Sequence, residues 1–393
     1  MTHRCLVSII YWMARATPPL LKHLNERAVL ESIRGGAPIS RAEIARRTGI
    51  SKPTVSLALR ALHAQGLVRE TEPDPSRPHY GALFFEPVPE AALVLAVDIG
   101  TRFIRAALGD LGGNVLSRRD DPFTGYDLDS TIATVASVCE DLVDADERAS
   151  LDGAVVGVPG VVDPVDGSVS LASNALGIEG ARLAGRLADA LELPVQLEND
   201  INLAALGEQW RGVARGVDDF LFLSIGTGMG AGLVLRGELH RGRNGAAGEL
   251  DYAFVGVGPD ADPCAAAVSV FAQELAAGHT GPTSLLPPFE PRPIFAAARA
   301  GDPLARTIVA EEARRIALHV LPVAAVADVD LVVLGGGIGA NGDLLLEPIR
   351  GHLAKALPYP PRVEVSALGE AAVLTGALAT GVHAARENVL SPG

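Results

Sequence analysis

The sequence predicts two joined parts of mixed α/β class: a small module of three helices and a β-hairpin, then a large body built from a repeated α/β unit. Three observations carry this. Charge is segregated, because residues 20–80 hold ten Lys/Arg against six Asp/Glu while the 393-residue chain has a net charge of -14. From Leu93 onward, helical periodicity gives way to apolar β-branched runs alternating with helical stretches. A strand, a Gly-rich turn and a second strand occur twice, first from Val97 to Leu108 and again from Leu223 to Leu235.

At roughly 150 residues per domain, the length predicts two or three domains. The expected boundaries are 1–17 as a disordered extension or misassigned start, 18–87 as the module, 88–208 as a first lobe and 209–393 as a second. The C-terminal helix, read from Glu370 to Arg386, is expected to pack back on the first lobe. The body past residue 80 carries the whole acidic surplus, so it repels nucleic acid, and any contact with DNA is expected to fall to the module. Cys5, Cys139 and Cys264 lie far apart without CxxC spacing, which supports neither a disulfide framework nor a clustered zinc site and fits a cytoplasmic protein. The apolar stretch from Leu6 to Met13 is too short for a membrane span, so no membrane partner is expected.

The module's elements follow in order. Leu21, Leu24, Ala28, Leu30 and Ile33 recur at helical spacing, and Gly35 and Gly36 supply a stop. Ser40 with Glu43 three residues later forms a capping box, opening a second helix that runs through Ile44 to Thr48 before Gly49 turns the chain. Ser51 caps a third helix, with Pro53 in the first turn where a missing N–H costs nothing. Val55, Leu59 and Leu62 form its inner face and Lys52, Thr54, Ser56 and Arg60 the opposite one, with Ser51 at the cap and Arg41 from the second helix completing the candidate DNA contacts. Short hydroxyl side chains beside cations at a helix N-terminus suit phosphate contact and base-edge readout in the major groove. After Gly66, the runs 67–72 and 82–85 predict a wing whose Pro-rich tip sets Arg77 against the DNA backbone or minor groove. Pro73, Pro75, Pro78, Pro87 and Pro89 argue against any helix there. The run from Ser40 to Arg69 resembles the winged helix-turn-helix of the ROK regulators (repressor, open reading frame, kinase).

In the body, the paired strand–turn–strand units predict two lobes facing each other across a ligand cleft. The turns at Gly100-Thr101 and at Gly226-Thr227-Gly228, with Gly336 in a third glycine cluster, bring backbone N–H groups to that cleft, where phosphate is the usual tenant. After the strand-like Val195 to Leu197 comes Glu198-Asn199-Asp200, whose carboxylates stand where a substrate hydroxyl could lose its proton. Asp200 also reads as a candidate helix N-cap, and Arg241 and Arg243 as members of a solvated loop.

Residues 93 to 385 resemble the ROK family across nearly their whole length. The segments carrying the likeness are Val158-Pro159-Gly160 to Ser173-Asn174-Ala175, Glu198 to Glu208, Gly226-Thr227-Gly228, and Asn244 to Glu249. The resemblance implies an actin-like, hexokinase-type fold in which Asn174, Asn199, Asp200 and Glu249 contact sugar hydroxyls and Asp200 occupies the kinase-base position. Two departures stand out. The family's DxGGT turn reads Asp98-Ile99-Gly100-Thr101-Arg102, so a Cβ stands where backbone would approach phosphate, and ATP binding is expected to be weak or absent. The family's zinc ligands are reduced to Cys264, with Tyr252 in place of the histidine, so neither zinc nor another cofactor is expected.

These readings predict a sugar- or small-molecule-responsive transcriptional repressor without enzyme activity. Its expected partners are palindromic operator DNA, a sugar effector and a second copy of itself, as a dimer or a tetramer. The alternative is an ATP-dependent sugar kinase, with Asp200 as base, that has gained a DNA-binding domain.

Overall fold

The protein is described from a computed structural model, which covers residues 18–72, 82–123, 125, 127–171, 178, 180, 182–250 and 261–390. The extension 1–17 and the wing tip with Arg77 lie outside these residues, as do Asn174 and Tyr252.

The module is a winged helix-turn-helix. Its helices are α1 (Pro18–Arg34), α2 (Arg41–Thr48) and α3 (Lys52–Ala64), and its sheet orders β1 (Ile39–Ser40), β3 (Phe84–Pro87) and β2 (Val68–Thr71). The inward face of α1 is Val29, Leu30 and Ile33, which pack on Ile44, Val55, Leu59 and Leu62. Leu21 and Leu24 instead stand 47% and 46% exposed, because the apolar stripe that meets α3 begins only at the third turn. Gly49 adopts φ 71° and closes α2 with a hydrogen bond to Ala45 O, the left-handed turn that glycine enters without steric cost. The expected capping box is half formed. Ser40 Oγ accepts from Glu43 N, but the Glu43 carboxylate turns outward to Arg46 and Arg47, whose guanidiniums lower its pKa to about 2. Beyond Pro87 the chain is not wholly extended, since Pro89–Ala91 makes a single 3-10 turn with Pro at a position where it is tolerated.

The two lobes repeat one topology. In the first, β4 (Leu93–Ile99), β5 (Phe103–Asp110) and β6 (Val115–Pro122) form an antiparallel meander, β7 (Leu151–Val158) runs parallel to β4, and β10 (Val195–Asn199) runs parallel to β7. A small ribbon of β8 (Val161–Val162) and β9 (Val169–Ser170) follows β7. In the second lobe, β11 (Phe220–Ile225), β12 (Met229–Leu235) and β13 (Glu238–Leu239) are the meander, with β14 (Leu331–Gly335) and β15 (Arg362–Val365) added in parallel. The echo in sequence is thus an echo of hairpins. Every residue of β4 and of β14 is buried, as strands covered by helices on both faces require.

Those helices are α4 (Leu128–Glu140), α5 (Ala145–Arg148) and α6 (Leu183–Leu191) in the first lobe, then α7 (Asp200–Arg211) between the lobes. The second lobe adds α8 (Ala265–Ala277), α9 (Pro291–Arg299), α10 (Pro303–Ala327), α11 (Gly336–Gly339) and α12 (Gly342–Ala356), and α13 (Ala372–Asn388) ends the fold. Helix α7 serves both sheets: Leu203 joins a core with Val94, Ala96 and Val155, while Ala204 and Ala205 join one with Phe220, Phe222 and Val333. Helix α13 crosses α7 with the two backbones in contact. A Cβ on Gly376 would collide with Leu203 O, and one on Gly207 with Ala372 O. The far side of α13 lays Leu374, Ala377, Leu378, Val382 and Ala385 on the first lobe's sheet.

Past its last turn, α13 reaches the module. Leu390 is buried in the module's core with Val29, Leu30 and Phe85, and Arg27 donates to both carboxylate oxygens of Glu387 at 2.7 and 2.5 Å. One helix therefore touches the interlobe crossing, the first sheet and the winged helix.

Candidate DNA-binding face and interlobe cleft

On α3 the residues opposite the buried Val55, Ala58, Leu59 and Leu62 are Pro53, Leu57, Arg60 and Ala64, with Lys52 and Ser56 on the flank. The hydroxyl groups are more committed than their sequence pattern conveys. Ser51 Oγ caps Thr54 N and meets Thr54 Oγ1 at 2.8 Å, while Ser56 Oγ donates to Lys52 O at 2.9 Å and accepts from Arg41 Nη1 at 3.1 Å. Arg41 and Ser56 thus tie α2 to α3, and exposed Lys52 and Arg60 are the cations that project from the helix. Leu57, 60% exposed on the outer face of the helix, escapes a search for polar residues. Its place half a turn from Val55 and Leu59 is the sequence signal that finds it.

Between the lobes lies a cleft of about 1280 Å³, counting its open mouth. Asp98, Gly100, Thr101 and Arg105 line it from the first lobe, and Gly335, Gly336 and Gly337 from the second, with Asp200 at its base. Gly336 has φ 76° and packs so closely on Ile225 that a Cβ would strike the backbone there. Gly226 N donates to Gly228 O across the second turn, and Thr227 and Gly228 are exposed. In the first turn Gly100 N is bonded to Phe103 O, leaving Thr101 and Arg102 exposed at the rim.

Arg105 crosses the floor of this cleft. Its guanidinium lies 3.2 Å from Asp98, 3.6 Å from Asp120 and 3.4 Å from Glu370 on the approach to α13. A cation held by three carboxylates occupies the neighbourhood of the turn where phosphate charge would sit.

Asp200 is not the N-cap of α7. Asn199 takes that role, its Oδ1 accepting from Asn202 N at 2.9 Å while its Nδ2 donates to Gly160 O at 2.9 Å. Half of the Asn199 amide's bonding capacity is therefore spent on the fold, and Asp200, freed from capping, accepts from Ile201 N. Buried Glu198 anchors the surrounding loops: Oε1 accepts from Asn202 Nδ2 and Asn199 N, and Oε2 accepts from Arg241 Nε at 2.6 Å. Arg241 and Arg243 are both exposed, as members of a solvated loop would be, but Arg241 is in addition tied to the buried Glu198 carboxylate. Glu249 is half-buried and close enough for its charge to act on Asp200. Cys264, the remaining sulfur of the zinc motif, is buried at the start of α8, and no group of three potential ligands forms a metal site among the described residues.

Burial pushes the Asp200 carboxyl up to about 7, with Asp98 and Glu249 adding like charge, and burial holds Asp98 at about 6 although Arg105 pulls it down. Both acids retain protons that the unfolded chain releases near pH 4, so this pair lowers stability as pH rises from about 4 to 7. Asp200→Asn is expected to flatten the fall in Tm between pH 5 and 8, with a gain at pH 8 of roughly 2–4 °C per kcal/mol recovered. Differential scanning fluorimetry checks this; an unchanged profile would mean that Asp200 ionises freely in the fold.

Comparison with known proteins places this geometry. The ROK family model matches residues 94–383 and the MarR family model residues 23–77. The xylose repressor of Caldicellulosiruptor bescii is 27% identical over 382 residues, covering 92% of this chain and 96% of that protein. A bifunctional NanE/NanK enzyme of Brucella suis is 35% identical over 309 residues, covering 74% of this chain and 55% of the enzyme. Among solved structures, a ROK transcriptional regulator described as a homologue of the E. coli MLC protein shares the fold with a TM-score of 0.77 at 24% identity, covering 94% of this chain and 98% of its own. A glucokinase from Streptomyces griseus, in complex with glucose and AMPPNP, superposes with a TM-score of 0.61 at 28% identity, over 74% of this chain and 99% of the kinase. No helix among the described residues is long and apolar enough to cross a membrane. With a winged helix-turn-helix in front and two actin-like lobes behind, this chain belongs to the ROK family.

Proposed function

We propose that this protein is a ligand-gated transcriptional repressor: a dimer that binds a palindromic operator through α3 and releases it when an aldose occupies the interlobe cleft. The observation that carries the reading is α13, which touches the helix bearing Asp200 at one end and enters the winged-helix core at the other. Lobe closure that shifts α7 must move α13, and with it the module. The full-length likeness to xylose repressors supports DNA release by a pentose or hexose as the output. To reverse a 99:1 population the ligand must favour the released state by about 5.5 kcal/mol. Operator DNA, the aldose and the partner copy are the only partners this scheme needs.

The body acts as a sensor without turnover. Thr101 at the first turn and the Arg105 network across the cleft floor support the absence of ATP-dependent phosphorylation. No zinc or other cofactor enters the scheme. A second reading, a sugar kinase with an added module, is favoured by one feature: Asp200 stands at the helix start with a pKa of about 7, suited to a general base. ADP release on a hexose and pentose panel, abolished by Asp200→Asn, would establish it.

The direct test is fluorescence anisotropy of the purified protein on DNA upstream of its own gene, at fixed salt, with and without xylose, glucose and their phosphates. Specific binding relieved by one compound is expected; no binding under any condition would overturn the proposal. The coupling has its own prediction. Arg27→Ala removes the bidentate tie to Glu387 and is expected to leave operator affinity within about threefold while cutting the ligand-induced change by about tenfold, as loss of a coupling of 1–3 kcal/mol requires. A full ligand response in that variant would show that the signal bypasses α13.

A further inference from the structure

We propose that Leu57 reads the C5-methyl group of a thymine in each operator half-site. The inference rests on the proposed binding of DNA by α3 and assigns one determinant of its sequence preference. Leu57 is 60% exposed and lies opposite the helix face that enters the core, flanked by exposed Arg60 and by exposed Pro53 one turn before it. A leucine on that outer face is an apolar group presented directly to any duplex whose major groove α3 enters.

The major-groove edges of guanine, adenine and cytosine present donors and acceptors, and the thymine methyl is the apolar group on an unmodified duplex. A leucine offers no hydrogen bond. Against N7, O6 or an exocyclic amine it would strip water and return nothing, which makes such a site unfavourable. Against a methyl group both surfaces leave water together. Ser56, the neighbouring polar candidate, already donates to Lys52 O and accepts from Arg41, so its hydroxyl is held by the module. A cation that meets phosphate orients α3 on the duplex and carries no sequence information directly. Apolar discrimination at this turn therefore falls to Leu57.

The test begins with selection of binding sequences from a random duplex pool by the full-length protein. Each thymine of the selected operator is then replaced by deoxyuridine, which removes one methyl and keeps every hydrogen bond. At one thymine per half-site the wild-type protein is expected to lose about fourfold in affinity for each methyl, as the burial of one such group implies. Leu57→Ala should bind the same operator more weakly and show no loss at those positions, while Leu57→Met should retain it. Because Leu57 makes no core contact, both variants should melt with the wild type. A protein indifferent to every deoxyuridine, or an alanine variant as sensitive as the wild type, overturns the assignment. A gain seen only on methylating cytosines would overturn it too, by giving the contact to 5-methylcytosine. Failure to enrich any sequence would instead overturn the DNA-binding reading beneath it.

Discussion

Gly376→Ala is expected to lower the Tm of this protein by roughly 5–10 °C, although alanine is the better helix former. The α7–α13 crossing leaves no room for a methyl group, because the ideal Cβ position overlaps the Leu203 carbonyl and lies 3.0 Å from Gly207 N. One of the two helices must move. The obstacle is backbone on both sides, so rotamer changes cannot relieve it, and overpacking of this kind typically costs about 1–3 kcal/mol or more. Gly351 in α12 supplies the control. Nothing lies within 4 Å of its Cβ position, so Gly351→Ala should be neutral or stabilising by up to about 1 kcal/mol. Equal effects of the two substitutions would show that the helices do not touch as described.

The second large effect concerns the DNA face. Lys52→Ala combined with Arg60→Ala is expected to weaken operator binding at least about 100-fold, since each such cation contributes about 1–3 kcal/mol and a dimer would lose it twice. The slope of log affinity against log salt should become shallower by about one for every phosphate that the variant no longer neutralises. Both side chains are exposed, so Tm should be unchanged. Undiminished affinity with intact folding would move the DNA-binding surface elsewhere, most directly to the wing.

The architecture was legible where its causes are local. Alternating β-branched residues and Gly-rich turns are short-range signals, and they revealed both hairpins; Ser51, Pro53 and Val55-Leu59-Leu62 likewise identified α3 and its inner face. Spacing alone did not decide which turns of a helix meet a neighbour, hence the exposed Leu21 and Leu24. Competition between partners was equally invisible: Glu43 could cap Ser40 or pair with arginines, and two guanidiniums outcompete one backbone N–H. The chemistry of the cleft was legible as residue types, with Asp200 and the broken Gly100-Thr101 turn both among its lining residues. Its wiring was not. The Glu198–Arg241 pair and the path of Arg105 to Glu370 join residues far apart in sequence, and only the closed fold brings them within reach.

The position of α13 bears on biosynthesis. Every other described element precedes it in the chain, yet Leu390 completes the winged-helix core and Leu378 and Val382 cover the first sheet. A nascent chain emerging from the ribosome displays α3 long before these residues exist. Its module then lacks Leu390 and the Glu387 partner of Arg27, and its first lobe lacks the cover that α13 lays on its sheet, so the reader is finished only when the sensor is. Premature termination before residue 372 would therefore leave a first lobe with an open apolar face, prone to degradation, rather than a truncated regulator holding its DNA beyond the reach of any effector.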